Sequence, residues 1–116
     1  EIVMLEKVYL LWDSYKKNRT YLIGVLSKKN DNYLFKYNQD AILALSDGCM
    51  LPFPYTEKIY TFSSLPLFFN RRINHRKGKV GNMLDVLTIN DGRMNNDNFR
   101  IVSSSTLEKG RQKNLV

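Results

Sequence analysis

Short apolar stretches rich in β-branched and aromatic residues recur along the first third of the chain, separated by polar segments of turn composition. Val8–Trp12, with Ile2–Leu5 before it, predicts a first strand. Thr20–Ser27 and Tyr33–Tyr37 predict two further strands. Gly24, in the middle of the second strand, indicates a bulge or a close backbone contact. The pattern therefore predicts an antiparallel meander of three strands.

The periodicity changes after the third predicted strand, where a short helix is expected. Asn38 can cap this helix, and Asp40 in its first turn suits the positive end of the helix dipole. Ile42 and Leu45 form its apolar stripe, and Gly48 occupies the position just past its end. We expect this helix to pack on the meander because two to three turns are too short to be stable alone.

The most apolar part of the sequence is Gly48–Ile73, which holds all three prolines, the only cysteine and four of the six phenylalanines. Prolines with a fixed φ exclude one long helix or strand here. The segment is predicted to form a rigid extended entry at Leu51–Pro54 and a strand at Lys58–Phe62. A helix then follows, with Ser63 or Ser64 as its N-cap, Pro66 in its first turn, and Phe68 and Phe69 on its core face.

The remaining elements are short. Met83–Ile89 has helical spacing, Asn98–Ser103 alternates as a strand does, and Ser104–Val116 is polar and aperiodic. We therefore predict an α+β fold: a small, mostly antiparallel, partly closed sheet of about five strands with two or three short helices. Residues 1–103 form a single domain and residues 104–116 a polar flexible tail. The predicted core comprises Val8, Leu10, Leu22, Val25, Leu34, Phe35, Ile42, Leu45, Leu51, Ile59, Phe62, Leu67, Phe68, Leu84, Leu87, Phe99 and Ile101.

Composition and charge narrow the class of protein. A chain of 116 residues with 43% hydrophobic residues can bury one core. No apolar run approaches the ~20 residues of a membrane span, and with no export signal and a single cysteine the expected location is the cytoplasm. The net charge of +7 favours an acidic partner, either nucleic acid or an acidic protein surface.

The sequence carries no pattern typical of an enzyme. His75 is the only histidine, and nothing in the sequence orients it toward Cys49, which is expected to be a buried thiol. One cysteine and one histidine cannot build a zinc site, and no phosphate-binding glycine motif follows a strand. We therefore expect no catalytic activity, no metal and no cofactor.

Two kinds of binding surface stay open at this stage. No acidic residue occurs from Lys58 to Leu84, so a basic nucleic-acid surface could form there, with Tyr55 and Tyr60 close by in sequence. Its candidate residues are Lys58, Arg71, Arg72, Arg76, Lys77 and Lys79. Alternatively, Leu51–Pro54 and the strand after it offer a rigid apolar surface and a free sheet edge to a protein partner.

The order of short motifs adds a resemblance to a known family. IGVL at Ile23–Leu26, YLFKYN at Tyr33–Asn38 and LPFP at Leu51–Pro54 are followed by FSSLPLFFNRRI at Phe62–Ile73. Over roughly Tyr9–Ile73 this order resembles the N-terminal subdomain of HipA-type serine/threonine kinases. In some bacteria that subdomain occurs as a separate small protein, HipS, beside a HipT kinase and a HipB DNA-binding protein. A further pattern in related modules is similar to Leu84, Leu87, Gly92, Arg93, Asp97 and Phe99 here.

The resemblance implies a regulatory, antitoxin-like partner of a HipT- or HipA-type kinase, since the kinase core is absent from this chain. It also implies a hetero-complex in which a HipB-like protein can take part. A tryptophan implicated in blocking the kinase in HipS-like proteins has no counterpart, because Trp12 lies in the first strand. The implied contact surface is the LPFP segment with the loop after the phenylalanine helix: Leu51, Pro52, Phe53, Pro54, Tyr55, Arg72 and His75.

Overall fold

A computed structural model describes residues 7–73, 83–94 and 97–107 of the chain. Its strands are β1 (Lys7–Ser14), β2 (Arg19–Lys29), β3 (Asn32–Tyr37), β4 (Ile59–Phe62) and β5 (Phe99–Val102). Its helices are α1 (Asp40–Ser46), α2 (Leu67–Asn70) and α3 (Met83–Leu87), followed by a 3₁₀ helix at Ile89–Gly92. Residues 104–107 add a helical turn. The predicted strand residues Ile2–Leu5 and most of the predicted tail lie outside the described ranges.

The five strands form one antiparallel sheet in the order β4-β3-β2-β1-β5. The meander β1–β2–β3 is confirmed, and so are the α+β class and the strand count. Asn18 and Asn30 lie in the two turns of the meander with φ of 50° and 57°, a conformation that asparagine tolerates better than most residues. β4 and β5 are the two edges, so the sheet is open.

The predicted bulge at Gly24 is confirmed and shifts the side-chain alternation of β2. Leu10 pairs with Gly24 while the next residue, Leu11, pairs with Leu22, so Ile23 is the extra residue. Gly24 is also a close contact, because a Cβ there would lie 2.6 Å from Cζ of Phe35. A side chain at this position would therefore force the Phe35 ring out of place.

All three α-helices pack on the same face of the sheet, called here the inner face. The core between them joins strand residues such as Leu10, Ile23 and Phe35 with helix residues such as Phe69 and Leu84. Phe69 is fully buried and Phe68 is half-buried, which confirms the core role of the α2 phenylalanines. The other face, called here the outer face, carries the alternate strand residues and none of these helices.

Several predicted core positions are wrong, and the bulge explains two of them. Leu22 and Val25 lie on the outer face because the extra residue in β2 directs Tyr21, Ile23 and Leu26 inward. Of the other predicted core residues, Ile42, Leu45, Ile59 and Leu67 are exposed and Leu34 is half-buried outside the core. Leu51 and Phe62 are half-buried like Phe68, and all three pack against the core. The sequence thus predicts the positions of the strands correctly, but not always which of their side chains face the core.

The helix ends also differ in detail from the prediction. α1 buries Ala41 and Ala44 rather than its leucines and isoleucine, because these small side chains let the helix approach the sheet. Asn38 precedes the N-cap Gln39, yet its Oδ1 accepts a hydrogen bond from the Asp40 backbone amide at 3.2 Å. Gly48, with φ of 103°, follows the C-cap as predicted.

α2 begins at Leu67, two or three residues later than the sequence suggests. Its N-cap is Pro66, and neither Ser63 nor Ser64 caps it. Backbone amides of Phe69 and Asn70 instead bond to the Pro66 carbonyl. A proline at this boundary supplies the extended backbone that leads into the helix.

Candidate binding surface

The segment Met50–Tyr55, called here the ledge, is anchored to the inner core by the ring of Phe53. That ring stacks on Tyr60 at a centroid distance of 4.9 Å and meets the edge of Phe35 at 5.2 Å. It also lies 5.3 Å from Phe62 and 6.4 Å from Phe69. Contacts between aromatic rings stabilise a fold beyond the effect of the apolar area that they bury. Phe53 therefore fixes the position of the whole segment.

Two tyrosine hydroxyls hold the ledge backbone. The Tyr37 hydroxyl accepts a hydrogen bond from the Phe53 amide and donates one to the Phe53 carbonyl, each at 2.6 Å. The Tyr60 hydroxyl accepts a hydrogen bond from the Tyr55 amide at 2.9 Å. The ledge has no helical or strand structure of its own, and these bonds give it a defined shape.

The ledge presents only part of the surface that the resemblance implies. Met50 is 84% exposed and Tyr55 is 58% exposed, and Pro54 between them is exposed as well. Leu51, Pro52 and Phe53 are half-buried. The outward surface therefore consists of Met50, Pro54 and Tyr55, and Phe53 supports it from below.

The strand that follows the ledge is an edge of the sheet. β4 pairs with β3 through registers such as Tyr60 with Phe35, and it has no second strand partner in the described part of the chain. One side of its backbone is therefore free to pair with an extended segment of another protein. Ile59, which is 56% exposed, adds an apolar side chain beside this edge.

Arg72 is buried, whereas both predicted binding sets require it to be exposed. Its guanidinium forms an ion pair with Asp97 at 2.5 Å and donates a hydrogen bond to the Gly92 carbonyl at 3.1 Å. Its Nε donates to the Phe68 carbonyl at 3.2 Å. The side chain lies over the rings of Phe68 and Phe99 at 4.5 and 5.5 Å. Arg72 therefore joins α2, the 3₁₀ helix and the start of β5.

The predicted nucleic-acid set is only partly described. Lys58 and Arg71 are exposed, and the Lys58 ammonium lies 5.3 Å from the centroid of the Tyr60 ring. His75, Arg76, Lys77 and Lys79 lie outside the described residues. Of the six predicted cations, the structure therefore shows Lys58 and Arg71 as exposed and Arg72 as buried, and it does not describe the other three.

The ionisable groups of the described ranges do not converge on a reaction centre. No group of three or more histidine, cysteine, aspartate or glutamate side chains is arranged to hold a metal among these residues. Cys49 is buried as predicted, and its burial raises the pKa of the thiol to about 12. The Tyr21 hydroxyl donates a hydrogen bond to Asp47, which raises the pKa of Tyr21. The raised pKa values keep both groups neutral near pH 7.

We predict that the folded state loses stability at alkaline pH. Burial raises the pKa of Tyr37, like that of Cys49, to about 12. Stability is complete below the pKa values of the unfolded chain. It falls as pH rises toward 12, because the unfolded chain releases these protons first. Urea unfolding at pH 7 and pH 10 should show a smaller loss of stability for Cys49→Ala than for the wild type. An equal loss of stability in both proteins would show that the Cys49 thiol does not contribute to the destabilisation at alkaline pH.

Sequence reasoning missed two sets of surface residues. Met50 extends the ledge, and its only signal was its position directly before the LPFP segment. On α1, Ile42 and Leu45 were interpreted as core because their helical spacing resembles a buried stripe, but both are exposed, and so is Leu43.

None of the protein-family models, curated proteins or solved structures compared with this chain matches it. Among the described residues, no helix has the length and apolar character needed to cross a membrane.

Proposed function

We propose that this chain is a non-catalytic regulatory module that docks on a HipT- or HipA-type serine/threonine kinase in the cytoplasm and modulates it in trans. The observation that carries the proposal is the exposed ledge beside the free edge of β4. A partner contacting this surface can pair with the β4 backbone and cover Met50 and Tyr55. The short-motif resemblance supports the choice of a kinase as partner.

The rigidity of the ledge favours docking. Binding is costly when a loop must be ordered in the process, and a loop already fixed by packing avoids that cost. Here the Phe53 ring and the hydroxyls of Tyr37 and Tyr60 hold the ledge in the free protein. Exposed Tyr and Met side chains are also the types enriched where proteins meet.

The nucleic-acid alternative has less support in the described part of the chain. Arg72 is buried in an ion pair, so Lys58 and Arg71 are the exposed cations that remain of the predicted set among the described residues. The kinase-docking proposal has stronger support than the nucleic-acid alternative, because the ledge is an exposed surface with a fixed shape.

The proposal is tested by co-expression with a HipT- or HipA-type kinase, followed by co-purification and a titration. Tyr55→Asp places a charge in the ledge, and we expect it to weaken kinase binding by about tenfold or more, as loss of a central aromatic contact does. Its fold should be intact because the Tyr60 hydroxyl bonds the backbone, not the side chain, of Tyr55.

Tyr15→Asp is the matched control, since Tyr15 is 76% exposed and lies in the β1–β2 turn, outside the ledge. Its binding should stay within about twofold of the wild type. Absence of binding to the kinase, or an equal loss in both variants, would overturn the proposal.

A further inference from the structure

Three lysines gather on the outer face of the sheet, at the end where the β2–β3 turn lies. Lys7 pairs with Ser27, Lys36 pairs with Val25 and Ile59, and Lys29 follows in β2 at the same alternation as Ser27. All three are exposed. The helices α1, α2 and α3 pack on the inner face, so none of these three covers the lysines.

Between these lysines lies a groove of about 350 Å³ with an apolar floor. Val25, Leu34 and Ile59 form the floor, and Lys7 and Lys36 stand at its sides. An adjoining depression of about 480 Å³ shares Lys7 and Leu34 and continues to Lys29 and Asn30 at the turn. Together they make one elongated concave surface across β1, β2, β3 and β4.

Among the described residues, the groove has no anionic group of its own. No carboxylate lines it, and within the described ranges the ion pairs are Arg72–Asp97 and Arg100–Asp13, both elsewhere in the fold. Like charges at the rim of a groove create a positive potential that attracts an anionic ligand. The apolar floor adds a requirement for apolar groups in the same ligand.

We propose that this groove binds an acidic peptide segment that carries apolar side chains. Its carboxylates would face the lysines while its apolar side chains cover Val25, Leu34 and Ile59. A single-stranded nucleic acid fits less well, because it is gripped by aromatic rings that stack on its bases, and no aromatic residue lines this groove. The site is separate from the ledge, which is anchored to the inner face through Phe53.

The test uses fluorescence polarisation with three labelled probes: a short peptide of glutamate and leucine, a peptide of lysine and leucine of equal length, and oligothymidylate. The acidic peptide should bind best, and its affinity should fall with added salt. Lys36→Glu should weaken binding of the acidic peptide by about tenfold or more, because a negative charge at the groove repels the carboxylates of the peptide. Lys7→Glu gives a second variant in case the first fails to fold.

Lys16→Glu is the control, because Lys16 makes the same charge change in the β1–β2 turn at the opposite end of β1. It should alter the affinity by less than about threefold. Failure of the acidic peptide to bind, or an equal loss with Lys16→Glu, would overturn the proposal. Tighter binding of oligothymidylate that is lost with Lys36→Glu would assign the groove to nucleic acid instead. The groove shares Ile59 with the β4 edge, so kinase binding is tested separately by the Tyr55 variant, which lies in the ledge and not in the groove.

Discussion

Replacing Phe69 with alanine is expected to lower the free energy of unfolding by about 3–5 kcal/mol, most of the margin of a domain this size. The Phe69 side chain is fully buried, and its ring lies 5.8 Å from Phe35 and 5.1 Å from Phe68. Alanine would leave a cavity where the helix meets the sheet, because rings held by several neighbours cannot collapse into it. Urea unfolding followed by circular dichroism measures the effect.

Leu67→Ala is the control for this substitution. Leu67 lies in the same helix but is 70% exposed, so its removal should change stability by less than about 0.5 kcal/mol. Similar losses for the two variants would show that α2 responds to any truncation, and that Phe69 has no special place in the core.

Asp97→Asn is expected to destabilise the fold by about 3–5 kcal/mol, because it leaves the buried guanidinium of Arg72 without its counter-charge. The Arg72 side chain is 1% exposed, whereas that of Asp97 is 27% exposed. Most of the cost therefore comes from the arginine. Arg72→Met in the same background removes the unpaired charge, so the double variant should be more stable than the sum of the single losses predicts.

The second ion pair of the described ranges gives the comparison. Arg100 donates two hydrogen bonds to Asp13 at 2.7 and 2.9 Å, but both side chains are partly exposed. Burial alone would raise the pKa of Asp13, and the hydrogen bonds from Arg100 and Thr20 outweigh it, so the pKa is lowered. A double-mutant cycle on this pair should give a smaller coupling free energy than the Arg72–Asp97 cycle. An equal or larger coupling would contradict the structural role of Arg72.

The strands could be predicted because their signals are local. Val8–Trp12 and Tyr33–Tyr37 each contain several β-branched or aromatic residues, and asparagines at the turns accept the left-handed backbone that the turns need. Gly24 was also informative, since a glycine inside a strand marks a place where a side chain does not fit. Each of these features depends on residues close together in sequence.

The faces of the elements depend on distant residues and were harder to predict. One extra residue, Ile23, reverses the alternation of β2, so Leu22 and Val25 point outward. In α1 the apolar spacing fitted Ile42 and Leu45, but the helix lies close to the sheet through its alanines. Nothing in the sequence near β2 or α1 indicates which of their side chains will face the core.

The candidate binding residues show the same limit. Arg72 directly follows Arg71 and looks in the sequence like a second surface cation. Only the fold reveals that its buried guanidinium contacts Asp97 and the Gly92 carbonyl. The ledge was predicted better, because prolines and aromatic residues fix its shape locally. Tyr55 and Pro54 are exposed as that prediction requires, and Phe53 supports them.

The strand order also determines how the chain can fold while it is being synthesised. The first three strands are consecutive in sequence, so they can associate soon after they leave the ribosome. β5, the neighbour of β1, comes almost at the end of the described chain. Until it arrives, the backbone of Tyr9–Trp12 is an open edge on the nascent protein. Chaperone contacts or pairing between chains on one messenger RNA would therefore concentrate at β1.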